Sequence, residues 1–277
     1  MIDHDTTAFD VDAVSPALLR RFAVTVGLTE VDPRPGAAVP FGLHWCLAPD
    51  AAPLGDLSGD GLATTAGATL PPPEGFSFTM WAGADVTVLA PLRIGDTVSR
   101  RTRILDVTEK AGRSGRLAFG RVEQIFSVEG EDRIVDVQRY VFRTARPIAT
   151  DPRPEAAVPA PGAVLGTFAI DPLAVFRFSA LTFNAHRIHW DVAYARDTEG
   201  FPAPLIQGTL TATLLGLAWA RRRDGAAGTI SFHAHAPAAC GDVLTLAALD
   251  GDRDGRLEAR ASDGRRILSA TPDAVAS

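Results

Sequence analysis

Cysteine is scarce: Cys46 and Cys240 are the only two in 277 residues. Two thiols so far apart make neither a disulfide framework nor a metal knuckle. Free thiols in a reducing compartment are the simplest reading, and a cytoplasmic location is expected. Lysine is scarcer still. Lys110 is the single lysine among 27 basic residues, which reads as codon bias in a chain also rich in Ala, Gly and Pro. No apolar run approaches the ~20 residues needed to span a bilayer, so no membrane partner is expected. The first residues, from Met1 to Thr6, lack a basic and then apolar leader, and no signal peptide is expected. Long blocks of like charge are missing as well. The net charge of -6 is spread along the chain, which argues against a nucleic-acid surface.

What is present is an ordinary globular composition, 46% hydrophobic and 22% charged, long enough for two domains with sizeable cores. The organising clue is an internal echo. Residues 90–96 end in Gly95-Asp96 and residues 236–242 in Gly241-Asp242, each between strand-like segments. Gly115-Arg116-Leu117 is answered by Gly255-Arg256-Leu257. Turns at Glu129-Gly130 and Asp263-Gly264 then lead into Arg133-Ile134 and Arg266-Ile267. Four punctuation points in one order point to a duplicated unit. Alternation places Val122, Gln124, Phe126 and Val128 on one strand face, and Val135, Val137, Arg139 and Val141 on a face of the next. Strands joined by Gly-containing turns predict an antiparallel sheet. A helix is expected over 209–223, with Leu210, Leu214, Leu217 and Ala218 on its apolar stripe. Arg221, Arg222 and Arg223 would suit its C-terminal dipole. An earlier helix is expected over 16–25. The fold class is therefore α+β. The expected division is an N-terminal domain over 1–146, a Pro/Ala-rich linker over 147–165 and a C-terminal domain over 166–277.

Chemistry concentrates in residues 178–195. Asn184, His186, Arg187, His189, Trp190, Asp191 and Tyr194 lie there, and Gln207-Gly208 follows at a predicted helix start. Histidine moves protons near neutral pH, and a helix N-terminus can hold the oxygen of a polarised carbonyl. The window resembles the signature of the MaoC-like dehydratases, the R-specific enoyl-CoA hydratases. Their pattern runs roughly G-D-x-N-P-[LIV]-H, often followed by an Asp and a Tyr-Ala. The Phe183-Asn184-Ala185-His186-Arg187-Ile188-His189 form is most similar to a two-hotdog branch that includes mesaconyl-CoA hydratases and 3-hydroxyacyl-thioester dehydratases. His44-Trp45, Met80-Trp81-Ala82-Gly83 and 91–96 look like the branch's degenerate N-terminal hotdog. Two departures stand out. Asn184 occupies the usual Asp position, and Gln207 the place of a common His.

The resemblance implies a double hotdog, each sheet wrapping a helix, and reversible hydration of a 2-enoyl thioester. His189 would be the acid/base, Asn184 would orient water, and the Gly208 N–H would form the oxyanion hole. His186, Arg187, Gln207, Trp190 and Trp81 are the expected substrate contacts. Arg187 is a candidate for a second carboxylate, should the acyl group be a short branched dicarboxylic one. The partner is an acyl-CoA or a carrier-protein thioester. No cofactor and no metal is expected, since His233-x-His235 has no third ligand nearby. The chain would act as a monomeric pseudodimer or as an oligomer of it. Each residue also has a structural reading: His189 a buried core histidine, Asn184 a helix cap, Gly208 a plain turn, Asp191 either a partner of His189 or a turn cap. Three other functions stay open. One is a dehydratase of fatty acid metabolism. Another is a thioesterase, disfavoured because the predicted helix carries no acid. The third is a non-catalytic acyl-thioester binder.

Overall fold

The computed structural model describes residues 7–65, 70–112, 115–144, 161–223, 227–249 and 255–273. One ten-stranded antiparallel sheet runs through it. The first half supplies β1 (Thr7–Ala13), β2 (Phe78–Val88), β3 (Thr97–Gly112), β4 (Gly115–Val128) and β5 (Glu131–Arg143). The second supplies β6 (Pro161–Ala169), β7 (Gly228–Ala234), β8 (Val243–Leu249), β9 (Leu257–Arg260) and β10 (Arg266–Pro272). The order is β1-β3-β4-β5-β2-β7-β10-β9-β8-β6, so each half repeats one five-strand pattern and the halves join edge to edge at β2 and β7. Residues 83–88 pair there with residues 233–228.

The echoed turns have the same job in both halves. Val14 and the Gly95-Asp96 turn exchange two backbone bonds, Val14 N–H to Asp96 and Gly95 N–H to Val14. Ile170 and Gly241-Asp242 exchange the same two. Each of these residues opens a helix on a capped proline. Ser15 caps α1 (Pro16–Val26), and Asp171 caps α2 (Pro172–Leu181). This capped-proline repeat had not been read from the sequence.

The halves then diverge. The second half has α3 (Gly208–Arg221), in which every residue from Leu210 to Trp219 is buried. The expected apolar stripe is thus part of a helix buried all round, with Thr211 and Thr213 enclosed beside the leucines. In the first half the described residues of the corresponding stretch form two 3-10 turns, Leu43–Cys46 and Leu54–Asp56, the first wedged against α3 by Phe41, whose ring stands edge-on to Trp219. Those described residues hold no long helix, and the inner face of β3, β4 and β5 borders a cavity.

The structure assigns the two faces of β5 and moves one expected boundary. On β5 the valine face is the half-exposed one, and the buried face holds Ile134, Asp136, Gln138, Tyr140 and Phe142. Polar side chains point inward here because a cavity lies beneath them. The Pro/Ala-rich stretch was read as linker to residue 165, yet 161–165 begin β6, pairing with β8. Residues 147–160 lie outside the described residues. Among the described residues no helix is long and apolar enough to cross a membrane.

Candidate active site

The histidine window forms the irregular connection between α2 and α3. At its start Phe183 adopts φ 52°, a left-handed conformation that bulky residues rarely take and that marks local strain. This turn sets up Asn184. The Asn184 backbone N–H donates to Ser179 O at 2.8 Å, and its side-chain Oδ1 accepts the His186 N–H at 2.9 Å. Asn184 therefore folds a local turn and caps no long helix, and its Nδ2 remains a donor beside the cavity.

A 3-10 turn, Arg187–His189, then positions His189. Its Nδ1 lies 2.9 Å from Leu205 O. A carbonyl can only accept, so the proton sits on Nδ1 and Nε2 keeps a lone pair. Burial, followed by the nearby His186, pushes His189 down to about 3, while its bond to Leu205 opposes this. Burial likewise pushes His186 down to about 4. Both rings are neutral at pH 7, and they meet edge to face with centroids 5.5 Å apart. The backbone of Leu205 orients His189, not Asp191. Asp191 takes Arg187 Nε and Nη2 at 3.0 and 2.7 Å and caps the next turn through the Tyr194 N–H at 3.0 Å.

Gly208 opens α3, whose first intrahelical bond runs from the Thr211 N–H to Gln207 O. The N–H groups ahead of it have no intrahelical acceptor. A Cβ on Gly208 would overlap the Trp81 ring, so only glycine lets β2 and this helix start approach so closely. Gln207 is buried, and its Nε2 donates to Val175 O at 2.9 Å and Ser179 Oγ at 2.8 Å. Those bonds fasten α3 to α2. Its Oε1 is buried without a partner.

Asn184, His186, His189, Trp190, Gln207, Gly208 and Trp81 all line one cavity of about 2760 Å³ that runs into both halves. That is well above the volume of an ordinary small-ligand cleft, roughly 300–1,000 Å³. Trp190 is half exposed and tethered by its Nε1 to Ala185 O at 3.0 Å. Arg187 is the one expected contact that does not line the cavity. Its guanidinium is held by Asp191 and by Gly59 O at 3.0 Å, and lies 4.6 Å from the centre of the Tyr194 ring. The carboxylate role expected for it therefore has no support: its donors are engaged outside the cavity. Among the described residues no group of three or more His, Cys, Asp or Glu is placed to hold a metal. His235 instead bonds Ser269 Oγ at 2.8 Å.

Sequence reasoning missed the residues that reach in from the first half. The Arg187 N–H donates to Asp60 O at 2.7 Å. Gly61, at φ 89°, packs so tightly on Ala185 O that a Cβ would overlap it. The loop carrying Ser58, Gly59, Asp60 and Gly61 thus clamps the histidine window. A Ser-Gly-Asp-Gly turn was visible in the sequence, but its destination was not.

The fold and this site define a double-hotdog protein of the hydratase/dehydratase class. Residues 42–240 match the hydroxyacyl-thioester dehydratase type 2 family, to which the chain belongs, and it is accordingly a hydro-lyase. It is 39% identical over 230 residues to a mesaconyl-C(4)-CoA hydratase of Chloroflexus aurantiacus, covering 82% of this chain and 81% of that one. A shorter match, 48% over 46 residues, relates it to the mitochondrial hydroxyacyl-thioester dehydratase type 2 of Schizosaccharomyces pombe, across 17% of this chain and 15% of that one. Among solved structures, HtdX of Mycobacterium tuberculosis superposes with TM-score 0.69 at 19% identity, over 96% of this chain and 99% of that one. A second Mycobacterium tuberculosis protein, described as a double hotdog fold, gives 0.59 at 17% identity over 98% and 96%.

Proposed function

We propose that the chain catalyses reversible addition of water to a 2-enoyl-CoA, with His189, Asn184 and Gly208 as its working groups. The observation that carries this reading is the bond from His189 Nδ1 to Leu205 O, which leaves Nε2 free to accept a proton. The thioester oxygen accepts the Gly208 N–H and gains negative charge as water attacks, and fixed dipoles help most at that stage. Asn184 Nδ2 donates to the attacking water and aims its other lone pair at C3. As the C3–O bond forms, His189 Nε2 takes the water proton. It then returns a proton to C2 as the enolate collapses. A carboxamide cannot share that traffic, so His189 makes both transfers.

The acyl group we favour is a short branched dicarboxylic one of the mesaconyl type, supported by the 39% identical relative over most of both chains. A thioesterase fits less well, because α3 carries no carboxylate. One chain supplies both halves of the sheet, which supports a pseudodimer as the working unit. The free Cys46 and Cys240 support a reducing, cytoplasmic setting.

The test follows loss of the enoyl-thioester absorbance with crotonyl-CoA and mesaconyl-CoA, alongside His189→Ala. Hydration with CoA still attached, abolished in the variant, is the expected result. Release of free thiol would make the protein a thioesterase, and no turnover of either substrate would leave only binding.

A further inference from the structure

The inner face of β3, β4 and β5 is polar where a sheet's core face is ordinarily apolar. Register places Thr102, Gln124 and Asp136 directly opposite one another across the three strands. Arg100 pairs with Phe126 in one neighbouring row, and Val122 with Gln138 in the other. All five polar side chains belong to residues no more than 5% exposed. Such burial is costly unless every group finds a partner. Some do. Asp136 Oδ2 accepts Trp45 Nε1 at 2.8 Å and Gln138 Nε2 at 2.9 Å, and the Tyr140 hydroxyl donates to Gln138 Oε1 at 2.8 Å. Others do not: Arg100 Nε, Thr102 Oγ1, Asp136 Oδ1 and His44 Nε2 are buried without a partner. Arg100, Gln124, Gln138, Tyr140 and His44 also line the cavity that holds His189 and Gly208.

We infer that Arg100 is a second recognition point in this cavity and takes a carboxylate carried by the acyl group, which makes the substrate class a dicarboxylic acyl thioester. The inference rests on the acyl-thioester reading above and adds to it the residue that reads the acyl group. A guanidinium has only donors, is always charged, and matches a carboxylate along its Nε edge. Asp10, itself half exposed, holds Nη2 at 2.6 Å, leaving Nε for a ligand. A plain alkyl chain here would bury the same groups and satisfy none of them. Arg100 stands on β3, three strands from the β2 residue that covers Gly208, and the acyl length that spans this gap is read from the probes.

Binding of saturated thioesters tests this independently of catalysis. Calorimetry on the full chain compares methylsuccinyl-CoA with 3-methylbutyryl-CoA and suberyl-CoA with octanoyl-CoA, each pair matched in skeleton length. The wild type is expected to prefer the diacid in at least one pair, and Arg100→Gln to reduce that preference about 100-fold. Asp10→Asn breaks the ion pair but keeps the cation, so it is expected to retain the preference. Should Arg100→Gln fail to fold, Arg100→Lys keeps the charge without the fork and is expected to reduce the preference about tenfold. No diacid preference in the wild type, a preference that survives the Arg100 variant, or one lost equally in Asp10→Asn would each overturn the inference. A hydratase test that fails while this preference stands would sink only the catalytic reading.

Discussion

The two halves of the chain share one strand order, one pair of Gly-Asp turns and one capped-proline helix start, yet they hold the histidines that face the shared cavity in different ways. A histidine from each half lines the cavity. His189 hangs on a backbone carbonyl with its tautomer defined, at the mouth of a helix N-terminus. His44 lies 3.9 Å from Asp136, beyond hydrogen-bond range, in the shell of polar groups where the described residues of the first half hold no long helix. The strands repeat because they must pair into one sheet. The helix is free to differ, and where the first half is less filled the cavity extends under its sheet. The halves also depend on each other, since the Gly61 turn of the first half packs on Ala185 in the histidine window of the second.

The largest expected effect breaks the chemistry of the second half alone. His189→Ala should cost about 10³-fold in kcat for enoyl-CoA hydration, within the range for general acid–base groups, while His44→Ala should leave kcat within a few-fold. Equal losses would remove the distinction between the two histidines. Gly208→Ala comes next. Its methyl would collide with Trp81, pushing the helix start off the thioester oxygen and overpacking the site. Roughly 10²-fold in kcat and about 1–3 kcal/mol of stability are expected to be lost. Steady-state kinetics and urea melts on one preparation separate the two. Gly61→Ala acts from the other half. It forces a side chain into a left-handed conformation against Ala185 O, and should lower kcat about tenfold by displacing Asn184 and His189 without touching either. Unchanged kcat in a folded Gly61→Ala protein would mean that the second half positions its own site.

Much of this contrast was legible in the sequence, for identifiable reasons. The duplicated turns, the antiparallel class and the start of α3 rest on local signals, glycine at turns and apolar periodicity, and these held to within two residues for α3. The candidate window was legible as a cluster because most of its residues are close in sequence, and the structure places Asn184, His186, His189 and Trp190 on one cavity. What escaped depends on contacts between residues far apart in the chain. Leu205 orients His189 through a backbone carbonyl, a group every residue has. Arg187 looked like a substrate contact until its partner, Gly59, 128 positions away, came into view. Gln207 lines the cavity as expected, but the bonds of its Nε2 to α2 could not be read from sequence. On β5 alternation put the valines on one face, but which face is inward depends on the cavity beneath the strand. Its valines look out, while Asp136 and Gln138 look in.

The smallest expected effect concerns that inverted face. Burial pushes Asp136 up to about 6, against bonds from Gln138 and Trp45 that lower it. Its folded value lies above the unfolded one, so its contribution to stability is complete below pH 3.8 and is lost as the pH rises through 6. His44 has the opposite sign. Burial holds it down to about 3, so its contribution is complete above pH 6.5 and is lost as the pH falls toward 3. Between pH 5 and pH 7 the two slopes oppose each other, the histidine gaining while the aspartate loses. Asp136→Asn keeps an acceptor for Trp45 and Gln138 but removes the titration. Its stability should therefore rise from pH 5 to pH 7 more steeply than the wild type's, by about 1 kcal/mol. Urea unfolding at the two pH values reads the difference directly. Parallel slopes would mean that Asp136 is ionised throughout, held so by a charge on this face, and Arg100 would then be the first residue to test as its partner.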